Sequence, residues 1–179
     1  MVRKATIAAL AFGSFLLGAF SLAHAQQAQI PTLQVCNPTR VEGRAAVEIV
    51  SRSDAIHSGV FKIGTELKCD PKGLPYPAGG FQIDVDMSDS VVQGTIIGDT
   101  IEQLTSTGKH SPTAYLSGRC SARDVSGCRY WLMLADNGRA QEGTPDVVGF
   151  LVFDGAGNRV AYGTGPVVDG DIAVAPTSN

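Results

Sequence analysis

Charge, aromatic side chains and recognisable catalytic motifs are all scarce in this sequence. Only 17% of the 179 residues are charged, with 17 acidic against 14 basic side chains. A weakly acidic chain without a basic stripe is a poor partner for nucleic acid or an anionic membrane surface. Aromatic residues make up 7%, with Trp131 the single tryptophan, so the core must draw on small and β-branched side chains. No segment shows the periodicity of an amphipathic helix. The sequence has no Cys-x-x-Cys and no close Cys/His pair of the kind that holds zinc. It also lacks a Gly-x-Ser-x-Gly elbow, a His-Glu-x-x-His helix, a phosphate-binding glycine loop and a dinucleotide fingerprint. Gly163-Thr164-Gly165-Pro166 reads as a loop, because proline follows the second glycine and no helix comes after.

What is present begins with a leader. Arg3 and Lys4 are followed by an uncharged, apolar stretch from Ala5 to Ala23, and Ala23-His24-Ala25 supplies the small-x-small pattern of a signal-peptidase site. Residues 1–25 are therefore expected to be a secretory signal peptide. Its loss removes two of the 14 basic residues and leaves 12 against 17, a formal charge of −5. The mature chain is then a single domain over 26–175 with a frayed tail at 176–179.

Four cysteines lie in the mature part, an even number that fits disulfides in an oxidising, periplasmic or extracellular compartment. Three pairings exist on paper. Cys120 and Cys128 flank the turn-like Ser121–Gly127 and are expected to clip one hairpin, which leaves Cys36 for Cys69.

Strand signals fill the remainder. Arg44 to Val50 reads as a strand, and Phe61, Ile63, Thr65, Leu67 and Cys69 alternate with Lys62, Glu66 and Lys68. The three prolines of Asp70–Pro77 predict a surface loop. Phe81, Ile83, Val85 and Met87 alternate with Gln82, Asp84, Asp86 and Ser88. Further strands are expected at 91–104 (interrupted at Gly98-Asp99), 114–120, 147–153, 159–162 and 172–174, with Cys128–Ala135 covered on both faces. Asp154–Asn158 is a hairpin signal. Short strands between turns predict an all-β, disulfide-stapled, antiparallel β-sandwich, with a partly open β-barrel as the alternative.

From Phe81 onward the chain resembles an uncharacterised β-sandwich module of bacterial secreted and surface proteins. The resemblance rests on Phe81–Val85, Gly94-Thr95-Ile96, Gly118-Arg119-Cys120, Tyr130-Trp131-Leu132, Asp136-Asn137-Gly138, Asp146–Phe153, Gly157 and Tyr162. Over residues 81–174 it implies an extracytoplasmic sandwich and no particular activity.

The candidate chemistry is modest. Asp84 and Asp86 share a strand face roughly 7 Å apart, and with Asp89 they are weak calcium candidates, since calcium prefers carboxylate oxygen. Asp136 and Asp146 end neighbouring strands, where their loops are expected to meet at one pole. Asp154 and Asn158 read as turn residues bonding their own backbone. Tyr76, Tyr115, Tyr130, Trp131 and Tyr162 offer a sugar or peptide platform, although an indole is more often found in a β-domain core. His57 and His110 read as exposed; with Ser58 or Ser111 they supply residue types but no triad. The expected function is an exported, non-enzymatic binding or accessory module without a cofactor. Its partner would be an envelope protein or glycan, recognised by loops at 72–80, 105–112 and 136–146 with Tyr76, Trp131, Asp136 and Asp146. The rivals are a hydrolase using Asp84 and Asp86, and a calcium-stabilised structural domain.

Overall fold

The computed structural model describes residues 35–37, 39–50, 57–70, 74–138 and 143–175, which belong to one compact unit, Pro31–Asn179. The expected leader and tail lie outside the described residues. These residues form β1 (Val35–Cys36), β2 (Thr39–Ile49), β3 (Gly59–Asp70), β4 (Leu74–Met87), β5 (Gly94–Thr107), β6 (Thr113–Ala122), β7 (Val125–Ala135), β8 (Val147–Phe153) and β9 (Arg159–Ala175). No helix occurs among them.

From β2 to β9 each strand pairs antiparallel with the next, and β9 returns to β2, so the sheet closes into an up-and-down barrel of eight strands. The expected sandwich is overturned, including the one implied for residues 81–174, and the ring is closed rather than partly open. Alternating inward and outward residues look the same in a sheet packed on another sheet and in a sheet curled on itself. Continuity decides: strands of 14 and 17 residues run on through bulges at Ala46/Val47, Gly98/Thr100 and Val152/Phe153, which increase twist and permit closure.

Several local expectations change with it. Asp70–Pro77 is not all loop, because β4 begins at Leu74 and pairs with Asp70. The upper part of β4 bonds β3 alone, since β4 meets β5 only from Gln82 to Val85, so prolines sit on a strand with one unpaired side. Residues 74–80 and 105–107, expected in recognition loops, are strand. Gly163–Pro166 is also strand; Pro166 lies opposite Val147, the first residue of β8, where the ladder ends. Residues 172–174 are the end of that same strand.

The interior is packed solid. Inward positions of all eight strands contribute buried side chains, among them Val47, Phe61, Ile83, Ile96, Leu116, Tyr130, Phe150 and Ile172. Phe61 meets Phe150 edge-on at 4.7 Å, and Phe81 meets Tyr130 at 4.3 Å, a geometry favoured by ring quadrupoles. Gly98 and Gly118 make room for the second pair: a Cβ at Gly98 would strike the Phe81 ring, and one at Gly118 the Tyr130 hydroxyl. That hydroxyl donates to the Thr100 carbonyl at 2.9 Å. Burial, helped by Glu102, pushes the Tyr130 phenol above its usual range.

Disulfides join Cys36 to Cys69 and Cys120 to Cys128, as expected, and are consistent with an oxidising, exported setting. The first ties β1, which pairs parallel with the upper part of β5, to β3. The second links directly opposed residues of β6 and β7.

Candidate functional site

Because the barrel is filled, chemistry must reside on its outer wall or at its ends. The outer wall of β6–β9 differs from the rest. Strand register places Ser117, Trp131, Leu151 and Tyr162 in one row across four strands, with Tyr115, Met133, Gly149 and Thr164 in the row above. Below runs Arg119, Arg129, Phe153 and Arg159. Trp131 is 61% exposed and Tyr115 43% exposed. The expectation that β7 is covered on both faces is therefore corrected: Tyr130 takes the core position and Trp131, its neighbour, faces solvent. Strand alternation makes the two outcomes exclusive.

The lower end of this wall is built by a plug. Val92 is buried, and the backbone N–H groups of Val91 and Val92 donate to the Val160 carbonyl at 2.8 and 3.2 Å. The β4–β5 connection is thereby drawn across the barrel mouth onto β9. This brings Asp89 to Tyr162, whose hydroxyl donates to Oδ2 at 2.8 Å, and to His57, whose Nδ1 lies 2.8 Å from Oδ1. The carboxylate accepts only, so Nδ1 carries the proton. The imidazole stacks on the Tyr162 ring with centroids 4.1 Å apart, and the Arg159 guanidinium lies 4.0 Å from that ring. Burial alone would raise the Asp89 carboxyl, but the His57 and Tyr162 hydrogen bonds and the His57 charge hold it below its ordinary value. His57, expected to be free in solvent, is instead half-buried and paired.

On the same wall, Arg119 and Arg129 stand directly opposite each other. Such like charges repel, and Glu102 relieves them: its Oε1 lies 3.3 Å from Arg119 Nε and 3.4 Å from Arg129.

The other candidates fall elsewhere. Asp84 and Asp86 face outward on β4. Asp84 accepts from the Thr95 hydroxyl at 2.7 Å and from Gln82 at 3.2 and 3.3 Å, and Asp89 is committed to His57 and Tyr162. The structure does not gather the three aspartates, and no group of three metal-ligating side chains is assembled among the described residues. Asp84 does border an open groove of about 1020 Å³ over β9, β2, β3 and β4, together with Glu42, Arg44, Lys62, Glu66 and Asp169.

Asp136 and Asp146 do meet at the opposite end of the barrel, but they serve the backbone. Strand β9 outruns the shorter β8, leaving N–H groups without a ladder partner. Asp146 Oδ2 accepts from Ile172 N and Asp136 Oδ2 from Val174 N, both at 2.9 Å. Asp146 Oδ1 also receives Asn137 N at 2.9 Å. Asp154 accepts from Ala156, Asn158 N and Asn158 Nδ2 within its hairpin turn; these bonds hold its carboxyl below the usual value. The side chain of Tyr76 lies outside the described residues. No family model matches the chain, and neither a curated protein nor a solved structure shows significant similarity to it.

Proposed function

We propose that this chain is an exported, non-enzymatic binding or accessory module of the periplasm or extracellular space. Its ligand docks on the outer wall of β6–β9. The observation that carries this reading is the exposed Trp131 at the centre of an aromatic and arginine patch on a barrel with a filled interior. A rigid, half-apolar wall suits recognition, since the strands hold the rings in place before contact. A membrane-embedded role fits poorly, because transmembrane barrels are apolar outside, whereas Lys62, Glu66, Gln82, Asp84 and Arg119 face out here and most apolar residues face in.

A photoreactive side chain at Ser117, beside Trp131, tests the reading in the native envelope. Crosslinks from position 117, absent from a control at Gln82 on the opposite wall, are the expected result. Equal labelling at both positions, or none at 117, overturns it. The hydrolase rival attaches to the Asp84 groove. Turnover abolished by Asp84→Asn and untouched by Trp131→Ala would replace the binding reading.

A further inference from the structure

We infer that the Cys36–Cys69 disulfide is a redox-operated clasp: reducing it releases β1 from β5 while the eight-strand ring stays closed. The clasp guards a seam in the barrel wall. Strands β4 and β5 are 14 residues each, yet they pair only where Gln82–Val85 meets Gly94–Ile97. Above that, β4 bonds β3 and β5 bonds β6. Among the described residues, the other side of upper β5 is met by β1, with Val35 beside Gln103 and Cys36 beside Leu104. Asn37 prolongs the contact. Its N–H donates to the Leu104 carbonyl at 3.2 Å and its Nδ2 to the Ser106 carbonyl at 2.9 Å, while its Oδ1 accepts from Ser106 N at 2.8 Å and from the Thr39 hydroxyl at 2.8 Å. The net gain from so few hydrogen bonds is offset by the backbone entropy of ordering the residues that make them. The covalent tether therefore decides whether β1 stays docked.

The two disulfides differ in exposure and in what they hold. Cys69, Cys120 and Cys128 are buried, whereas Cys36 is half-buried, so its sulfur is the one open to an attacking thiolate. A dithiol forms a mixed disulfide with Cys36 and expels the Cys69 thiolate. Its second thiol then displaces Cys36, leaving two protein thiols and one oxidised dithiol. Two electrons and two protons pass to the bridge, and oxidised glutathione or a protein disulfide reverses the step. The ring does not depend on this bond, because β2 still meets β9 from Arg40 to Val47. Cys120–Cys128 instead lies within the β6–β7 ladder, which runs from Thr113–Ala135 to Ala122–Val125, so its reduction frees no strand. The seam is thus closed by β1 only where thiols are oxidised.

The test titrates the mature wild-type protein with dithiothreitol under native conditions, alkylates the thiols and maps them by mass, with amide exchange followed by NMR. Cys36 and Cys69 should be alkylated about tenfold sooner than Cys120 and Cys128. Exchange of the Ser106 amide, which Asn37 Oδ1 accepts, should then speed by about tenfold or more while the β7–β8 amides keep their protection. Cys36→Ser combined with Cys69→Ala should exchange fast at Ser106 without reductant. Oxidised glutathione should restore slow exchange to the reduced wild type and not to that variant. Simultaneous alkylation of both bridges overturns the clasp, as does an unchanged Ser106 amide once Cys36–Cys69 is reduced. Loss of protection throughout the ring overturns it too, since β1 would then be inseparable from the barrel. Reduction of the wild type needs no substitution, so a variant that fails to fold leaves these outcomes readable.

Discussion

At the scale of single residues, the most consequential contact is between Asp89 and the pair His57 and Tyr162. It ties three segments that are 32 and 73 residues apart in sequence. Because the folded state holds the Asp89 carboxyl below its ordinary value, the stability it contributes is present above the unfolded pKa near 3.8. That stability is lost as pH falls through the lower folded pKa. Asp89→Asn should therefore lower the thermal midpoint at neutral pH, by a loss of about 1 kcal/mol, and the gap from wild type should close as the pH drops below the carboxylate range. A constant gap across the acid range would contradict the ion pair. A second residue makes the opposite prediction. The Thr65 hydroxyl is buried in the barrel without a hydrogen-bond partner among the described residues, so Thr65→Val should raise stability by about 1 kcal/mol in denaturant titration. Neither environment was readable in sequence. Asp89 looks like a neighbour of Asp84 and Asp86, and His57 like an isolated polar residue, because no spacing rule joins residues brought together by a plug at Val92. Asp136 and Asp146 were legible as a pair at one pole. Their task was not, since it follows from the unequal lengths of β8 and β9.

At the scale of elements, alternation located most strands well. The stretches 60–69, 81–87, 114–120 and 147–153 all fall within β3, β4, β6 and β8, and the Asp154–Asn158 hairpin joins β8 to β9. Proline and glycine misled where they sat at ladder ends or unpaired sides, as in the first residues of β4 and at Gly163–Pro166. The cysteine pairing followed from the hairpin and from elimination, and it holds. The two disulfides should differ in worth: the Cys36–Cys69 bridge closes a loop of 33 residues and the Cys120–Cys128 bridge one of 8. Chain-entropy reasoning assigns about 4 kcal/mol to the longer and about 2.5 kcal/mol to the shorter. Paired Cys→Ala variants measured by denaturant unfolding should rank in that order. A larger loss from the Cys120/Cys128 pair would show that native packing, not loop closure, sets their contribution.

At the scale of the molecule, closure was invisible to periodicity, since both a sandwich and a barrel ask for one apolar face per strand. Closure has a functional consequence. It pairs most of the strand edges, lines the centre with buried side chains, and leaves the outer wall and the two ends as the accessible surface, which is where the proposed docking wall lies. Sequence placed Trp131 in a strand with Tyr130 but did not tell which ring faced in. The Phe81 contact and the Thr100 hydrogen bond assign Tyr130 to the core, and Trp131 is then driven outward. Acrylamide quenching of the intrinsic fluorescence of this single tryptophan tests the arrangement most directly. An emission maximum close to that of indole in water, quenched nearly as efficiently as the free amino acid, is the predicted result. A blue-shifted emission that resists quenching would place the indole inside, and with it would go the docking wall of β6–β9.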